Sequence, residues 1–152
     1  MAGPMGSGKT TRALRIAAET GARFLSLDRT IRDFNKPLRD LTDYESLMKE
    51  ALEVLAPDAL QALKGNRSVV FDFGGGMAHW PWLSSLAKKV GAKIEIYHFD
   101  VALEERRRRV QKRNVEKPDG VYFFTVSDDE FSQSKTKTDL PPEGDEVTVI
   151  RS

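Results

Sequence analysis

Nine residues near the start limit the fold of this chain more than any others: Gly3-Pro4-Met5-Gly6-Ser7-Gly8-Lys9-Thr10-Thr11. They satisfy the phosphate-loop pattern G-x-x-x-x-G-K-[ST] at every fixed position. Glycines at 3, 6 and 8 let the backbone turn tightly and approach an anion without a Cβ in the way. Successive N–H groups then form a nest at the positive end of the helix that follows. Lys9 is expected to reach the β- and γ-phosphates, and the Thr10 hydroxyl to ligate Mg²⁺. Ser7 and Thr11 complete the loop residues expected on a bound nucleotide, taken as ATP. A flexible glycine-rich terminus is the plainer reading, but a helical pattern starts at Lys9, where the motif requires one.

A loop of this kind hangs from the carboxyl end of a central parallel strand. Only Met1 and Ala2 precede it here. The expectation is therefore a mainly parallel sheet whose first strand is missing, with Gly3 to Gly8 short of an anchor. At 152 residues the chain is read as one domain. Its net charge of +1 gives no global pull toward nucleic acid or membrane. The absence of cysteine removes disulfides, thiolate metal sites and cysteine nucleophiles together. No apolar run reaches the roughly 20 residues of a membrane span, so a soluble cytoplasmic protein with no membrane partner is expected.

Helix is predicted from Lys9 to about Thr20 with Gly21 as its stop, then a strand over Arg23–Asp28. Asp28 at its end reads equally as an N-cap or as a carboxylate aimed at the phosphate loop. A short helix to about Asn35 stops before Pro37. Apolar residues at 3–4 spacing from Tyr44 to Leu55 predict an amphipathic helix. Pro57 then begins a further turn, and helix resumes through Leu63. The apolar run Ser68–Asp72 predicts a strand buried on both faces, and its terminal Asp72 suits the Mg²⁺ shell, unless it is an ordinary strand-end acid. Gly74-Gly75-Gly76 forms a loop ahead of a helix entered through His79-Trp80-Pro81-Trp82. The tryptophans stack an acceptor ring or simply pack the helix start, and His79 is expected at the surface. A strand over Lys93–Asp100 and a helix over Val101–Asn114 follow. Within that helix Arg109 and Arg113 share a face with Arg106, either as solvated charge or as a clamp on a phosphoryl group. Val121–Val126 is a strand or a docking segment, Ser127–Glu130 a capping box, and Glu146–Ile150 a last strand.

The order of these parts resembles the small P-loop kinases, a group that includes the polynucleotide kinases, chloramphenicol phosphotransferase and zeta-toxin-like kinases. The loop, the strands ending at Asp28, Asp72 and Asp100, and the Arg109-x-x-x-Arg113-Asn114 helix carry the resemblance over nearly the whole chain. It implies a three-layer α/β P-loop fold with an AAA-type ATP-binding domain, and a lid over about residues 106–135. It also implies transfer of the γ-phosphoryl of ATP, with Mg²⁺, to a hydroxyl acceptor. Asp28 matches the acceptor base, although the family's arginine three residues on is here Arg32, four on. Arg109 and Arg113 match the lid arginines that contact phosphates, and Asp72 the carboxylate of the third family strand. Glycines 74–76 and His79-Trp80 stand where the family carries basic residues, so the acceptor does not carry over. Small molecule, nucleotide and nucleic acid end all stay open, the last only as substrate. The rival readings are a nucleotide-binding NTPase switch without an acceptor, and an inactive fragment.

Overall fold

A computed structural model of the chain describes residues 1–39, 41–73, 79–119, 121–134 and 146–151. The glycine loop at 74–76 and the polar stretch from 135 lie outside the described residues. The elements are α1 (Lys9–Thr20), β1 (Arg23–Ser26), α2 (Leu27–Asp33), α3 (Leu41–Lys64), β2 (Val69–Asp72), α4 (Trp80–Val90), β3 (Glu95–Asp100), α5 (Leu103–Glu116), α6 (Asp128–Ser134) and β4 (Glu146–Arg151). This is an α/β fold with parallel strands and a predominance of helix.

β1 runs parallel to β2, with Ser26 opposite Asp72, and β3 runs parallel to β4, with Asp100 opposite Arg151. Between these pairs lie Met1 and Ala2, in the place expected of a central strand. The Met1 ammonium donates to the Phe71 carbonyl at 3.1 Å. Ala2 donates to the Tyr97 carbonyl at 2.8 Å and accepts from the Phe99 N–H at 2.9 Å. The two residues therefore satisfy backbone groups on both flanks, and Ala2 forms a parallel bridge with His98. Because the strands are parallel, their carboxyl ends meet on one edge, where the chain turns into the phosphate loop.

Period-2 alternation assigns the two faces of β2. Val69 and Phe71 pack into a core with Leu25 of β1, Leu27 and Ile31 of α2, the Leu47–Ala51–Leu55–Ala59 stripe of α3, and Leu86 of α4. Asp72 points the other way, where its carboxylate bonds Thr10 of α1. Helices thus cover both faces of the β1–β2 pair. The strand predicted to be buried on both sides is only half-buried from Val69 to Phe71. A second core joins Val110 of α5, Val126 and Phe131.

Several boundaries differ from expectation. β1 stops at Ser26, because the Ser26 hydroxyl accepts from the Arg29 N–H at 3.4 Å and caps α2. Asp28 accordingly sits in the first turn of α2, neither ending a strand nor capping a helix. α2 ends at Asp33, and Asn35 turns at φ 52°. α3 runs unbroken for 24 residues with Pro57 inside it. Glu53 and Pro57 are both exposed, so the carbonyl that loses its donor faces water, while the buried stripe keeps the helix continuous. β3 begins at Glu95, two residues later than read. His79 is buried, with its ring edge-on to Phe73 at 5.2 Å. Trp82 packs against Phe71 and Phe73, as expected of a residue at a helix start. Residues 121–126 form no strand, and the segment docks on α5. The capping box forms as read, with Ser127 and Glu130 bonding one another reciprocally.

Candidate functional site

The phosphate loop is pressed between α1 and α5. Gly6 turns at φ 77°, and a Cβ there would sit 2.6 Å from the Arg106 carbonyl. Gly8, at φ 91°, is the left-handed N-cap of α1. No side chain other than hydrogen fits the first position without moving α5. Lys9 is nearly enclosed and donates to the Pro4 carbonyl at 2.8 Å, closing the loop on itself. Burial lowers the pKa of its ammonium, opposed by Asp72 and then Asp28. The Ser7 hydroxyl is buried with no hydrogen-bond partner. A cation and an unused donor in a ring of N–H groups suit an anion.

Two carboxylates face this loop from different elements. Asp72 is buried at the end of β2, and its pKa is raised by burial, opposed by the Thr10 bond and by Lys9. Its Oδ2 has no hydrogen-bond partner. A threonine hydroxyl beside an unsatisfied carboxylate oxygen is a hard-oxygen pair of the kind that holds Mg²⁺ together with substrate phosphates and waters. These residues fit that ion. Asp28 enters from the first turn of α2 and accepts from the Tyr44 hydroxyl of α3 at 2.7 Å. Enclosure raises the Asp28 pKa, the Tyr44 bond opposes that shift, and Asp72 adds to it.

The four consecutive arginines of α5 are sorted into separate tasks. Arg106 is buried, donates to the Val101 carbonyl at 3.1 Å, and lies over the Phe131 ring. It is therefore not a third member of the Arg109–Arg113 face. Arg107 pairs with Asp128, and Arg108 pairs with Glu105 on the solvent side. Arg109 bonds Glu105 at 2.7 Å and reaches the Ser7 carbonyl at 3.4 Å. Glu105, held by Arg108 and Arg109, has its carboxyl lowered to about 2. Arg113 is half-buried, and its Nε has no hydrogen-bond partner. Burial lowers its pKa, and Asp28 acts to raise it.

Lys9, Thr10, Asp28, Asp72, Arg109 and Arg113 all line one cavity of about 340 Å³. Gly6, Gly8 and Thr11 complete its phosphate-loop edge, whereas Gly3 and Ser7 do not line it. Gly3 instead packs against Phe99, where a Cβ would come within 2.9 Å. Ser7, Gly8, Thr11 and Arg109 border a second cleft of about 400 Å³ together with Arg12 and Arg15. Residues that the sequence did not single out also belong here: Tyr44 on Asp28, Glu105 on Arg109, and Phe124 on the cavity wall. Tyr44 carries no local signal beyond its place in an apolar stripe, since its contact spans 16 residues.

Loop, parallel strands and converging carboxylates define a nucleotide-binding P-loop protein with a kinase-like fold. Residues 1–140 match the AAA domain family, and the chain belongs to it. Among curated proteins no sequence match was found. Solved structures share the fold. A candidate kinase from Chloroflexus aurantiacus superposes with a TM-score of 0.75 at 14% identity, over 95% of this chain and 79% of that one. Kti12 of Chaetomium thermophilum, solved in complex with ADP-AlF3, gives 0.67 at 18% identity, over 99% and 86% of the two chains. A sugar kinase from Janibacter sp. gives 0.61 at 20%, over 98% and 81%. Among the described residues no helix is long and apolar enough to cross a membrane.

Proposed function

We propose that this chain is an ATP-dependent phosphotransferase acting on a hydroxyl acceptor. The observation that carries the reading is the meeting of phosphate ligands and a proton acceptor in one cavity, where Lys9, Arg109 and Arg113 share walls with Asp28. A nucleotide switch has no use for a carboxylate held by a tyrosine beside the phosphate site. We assign the nucleoside to the cleft bordered by Thr11, Arg12 and Arg109, with its phosphates passing Gly8 into the cavity lined by Lys9 and Asp28. Kti12, of the same fold, was solved with ADP-AlF3, which agrees with a nucleotide at this loop. We read residues 106–135 as the lid segment of such an enzyme, with the α5 arginines riding on it.

Catalysis would be mainly positioning and charge neutralisation, since phosphoryl transfer asks little covalent chemistry of the protein. Lys9 would exchange the Pro4 carbonyl for phosphate oxygens. Arg113, with an unused Nε–H, and Arg109 would offset the charge that builds as the phosphoryl group moves. Thr10 and Asp72 would hold Mg²⁺, which supplies further charge neutralisation on the phosphates. Asp28, its pKa raised by enclosure, would take the acceptor proton.

Two substitutions test this reading. Lys9→Ala should weaken ATP binding by about tenfold or more, or abolish turnover, because the loop alone supplies dipoles and no full charge. Asp28→Asn should retain nucleotide binding while acceptor phosphorylation, followed with γ-labelled ATP, falls by about 100-fold or more. Undiminished ATP affinity and turnover in Lys9→Ala would remove the phosphate-loop assignment. Undiminished transfer in Asp28→Asn would favour the switch reading.

A further inference from the structure

One side of the main cavity does nothing to hold phosphate. Its wall is aromatic, built from Tyr44 of α3 and from Phe123 and Phe124 between α5 and α6, with Val121 and Val126 beside them. The Tyr44 and Phe124 rings stand 6.3 Å apart, tilted at 49°. All three aromatic residues are only half-buried. The segment is tied down: the Asn114 side chain donates to the Val126 carbonyl at 2.7 Å and accepts from the Val126 N–H at 3.2 Å. Phe123 is backed by the Arg32 guanidinium, 5.4 Å from its ring centre. The wall is thus built, and it begins at Asp28, which Tyr44 bonds.

Charge indicates what this wall accepts. Of the cations lining the cavity, Lys9 and Arg109 are bonded into the phosphate loop, and Arg113 stands four residues beyond Arg109 on the same helix. The other is Lys112, which pairs with Glu116 at 3.7 Å. A nucleic acid end needs cations that track its backbone; among the residues lining the cavity the aromatic side supplies none beyond that pair, and Arg32 behind the wall is stacked on Phe123. A cavity of about 340 Å³ lies at the small end of ligand pockets, roughly 300–1,000 Å³.

We propose that this side takes the uncharged aromatic or apolar body of a small alcohol, presenting its hydroxyl to Asp28. The proposal rests on the kinase reading above. In the transfer, the alcohol oxygen bonds the γ-phosphorus as the bond from phosphorus to the β,γ-bridging oxygen breaks. ADP leaves with that electron pair, and the alcohol proton passes to the Asp28 carboxylate.

Saturation-transfer NMR on the full chain with ADP and Mg²⁺ tests the pocket, using 2-phenylethanol, glycerol and a 5′-hydroxyl oligodeoxynucleotide as probes. Ring protons of 2-phenylethanol should receive saturation well above glycerol. Phe124→Ala, which removes one aromatic anchor of the wall, and Phe124→Trp, whose larger ring occupies the ligand's space, should each weaken that binding by about tenfold. An ADP titration of the same samples reports on folding and on the nucleotide reading separately. Failure to bind ADP would count against the kinase reading, while the ring-proton signal still judges the pocket. Saturation no greater than for glycerol, wild-type binding in both variants, or displacement of 2-phenylethanol by the oligonucleotide would each overturn the proposal.

Discussion

At the scale of single residues, the site is a set of ionisable groups held in states that water would not favour. Asp28 and Asp72 are pushed toward protonation by enclosure, and Lys9 and Arg113 toward neutrality. Each of these shifts is opposed by a partner in the same cavity. Tyr44 is the partner that favours the Asp28 carboxylate. Tyr44→Phe should therefore raise the Asp28 pKa further. If Asp28 is the base, the acid limb of the kcat/KM profile moves to higher pH, and activity at the acid edge falls while the alkaline side stays. An unmoved limb would show that Tyr44 only packs. Arg113→Lys keeps a charge but loses the fork. We expect turnover to fall by about tenfold or more with little change in ATP affinity, because a bidentate contact formed in the transition state is lost. Equal turnover would show that Arg113 only packs against the cavity wall.

Among the elements, α5 does the most joining. Its Arg106 carbonyl is the surface against which Gly6 is pressed, its Arg109 bonds the loop, and its Asn114 pins the aromatic segment. One helix thus sets phosphate ligands and cavity wall relative to each other. Asn114→Ala removes both bonds to Val126 and leaves two backbone groups to find water. That should cost about 1–3 kcal/mol, seen as a lower melting temperature and faster hydrogen exchange at the Val126 amide. A variant that melts like the wild type, with the same protection at Val126, would mean that packing of Val126 and Phe131 alone holds the segment. α3 shows a different economy: its buried stripe keeps the helix continuous past a proline whose missing N–H lies on the wet side.

Across the whole molecule, two parallel pairs of strands meet at Met1 and Ala2. Three backbone hydrogen bonds, from Met1 to Phe71 and between Ala2 and Tyr97 and Phe99, form the described joint. The phosphate loop leaves directly from that joint, so its geometry depends on how firmly Ala2 is held. Ala2→Pro deletes the N–H that bonds Tyr97 and leaves the carbonyl of this half-buried residue without that donor, at a cost of about 1–3 kcal/mol. That is a large fraction of a domain's usual stability of about 5–15 kcal/mol. Both the melting temperature and ADP affinity should fall. A lower melting temperature with unaltered affinity would separate the joint from the loop.

The spelling from Gly3 to Thr11 determined the loop, because each fixed position answers a local requirement: tight turns, close approach, a cation, a hydroxyl. The same locality made α1, the α3 stripe, β2 and the capping box of α6 legible, since periodicity and caps are properties of neighbouring residues. Asp28, Asp72, Arg109 and Arg113 could be named as candidates from motif order. That all four line one cavity could not, because strand order and helix placement are set by long-range packing. Only the tertiary structure turned Arg106 inward onto Phe131 and buried His79 against Phe73. Only it gave the cap of α2 to Ser26 and set Tyr44 on Asp28. Apart from the cap, each of these contacts joins residues that come together only when separate elements pack, and a side chain's task is then decided by what lies across the core from it.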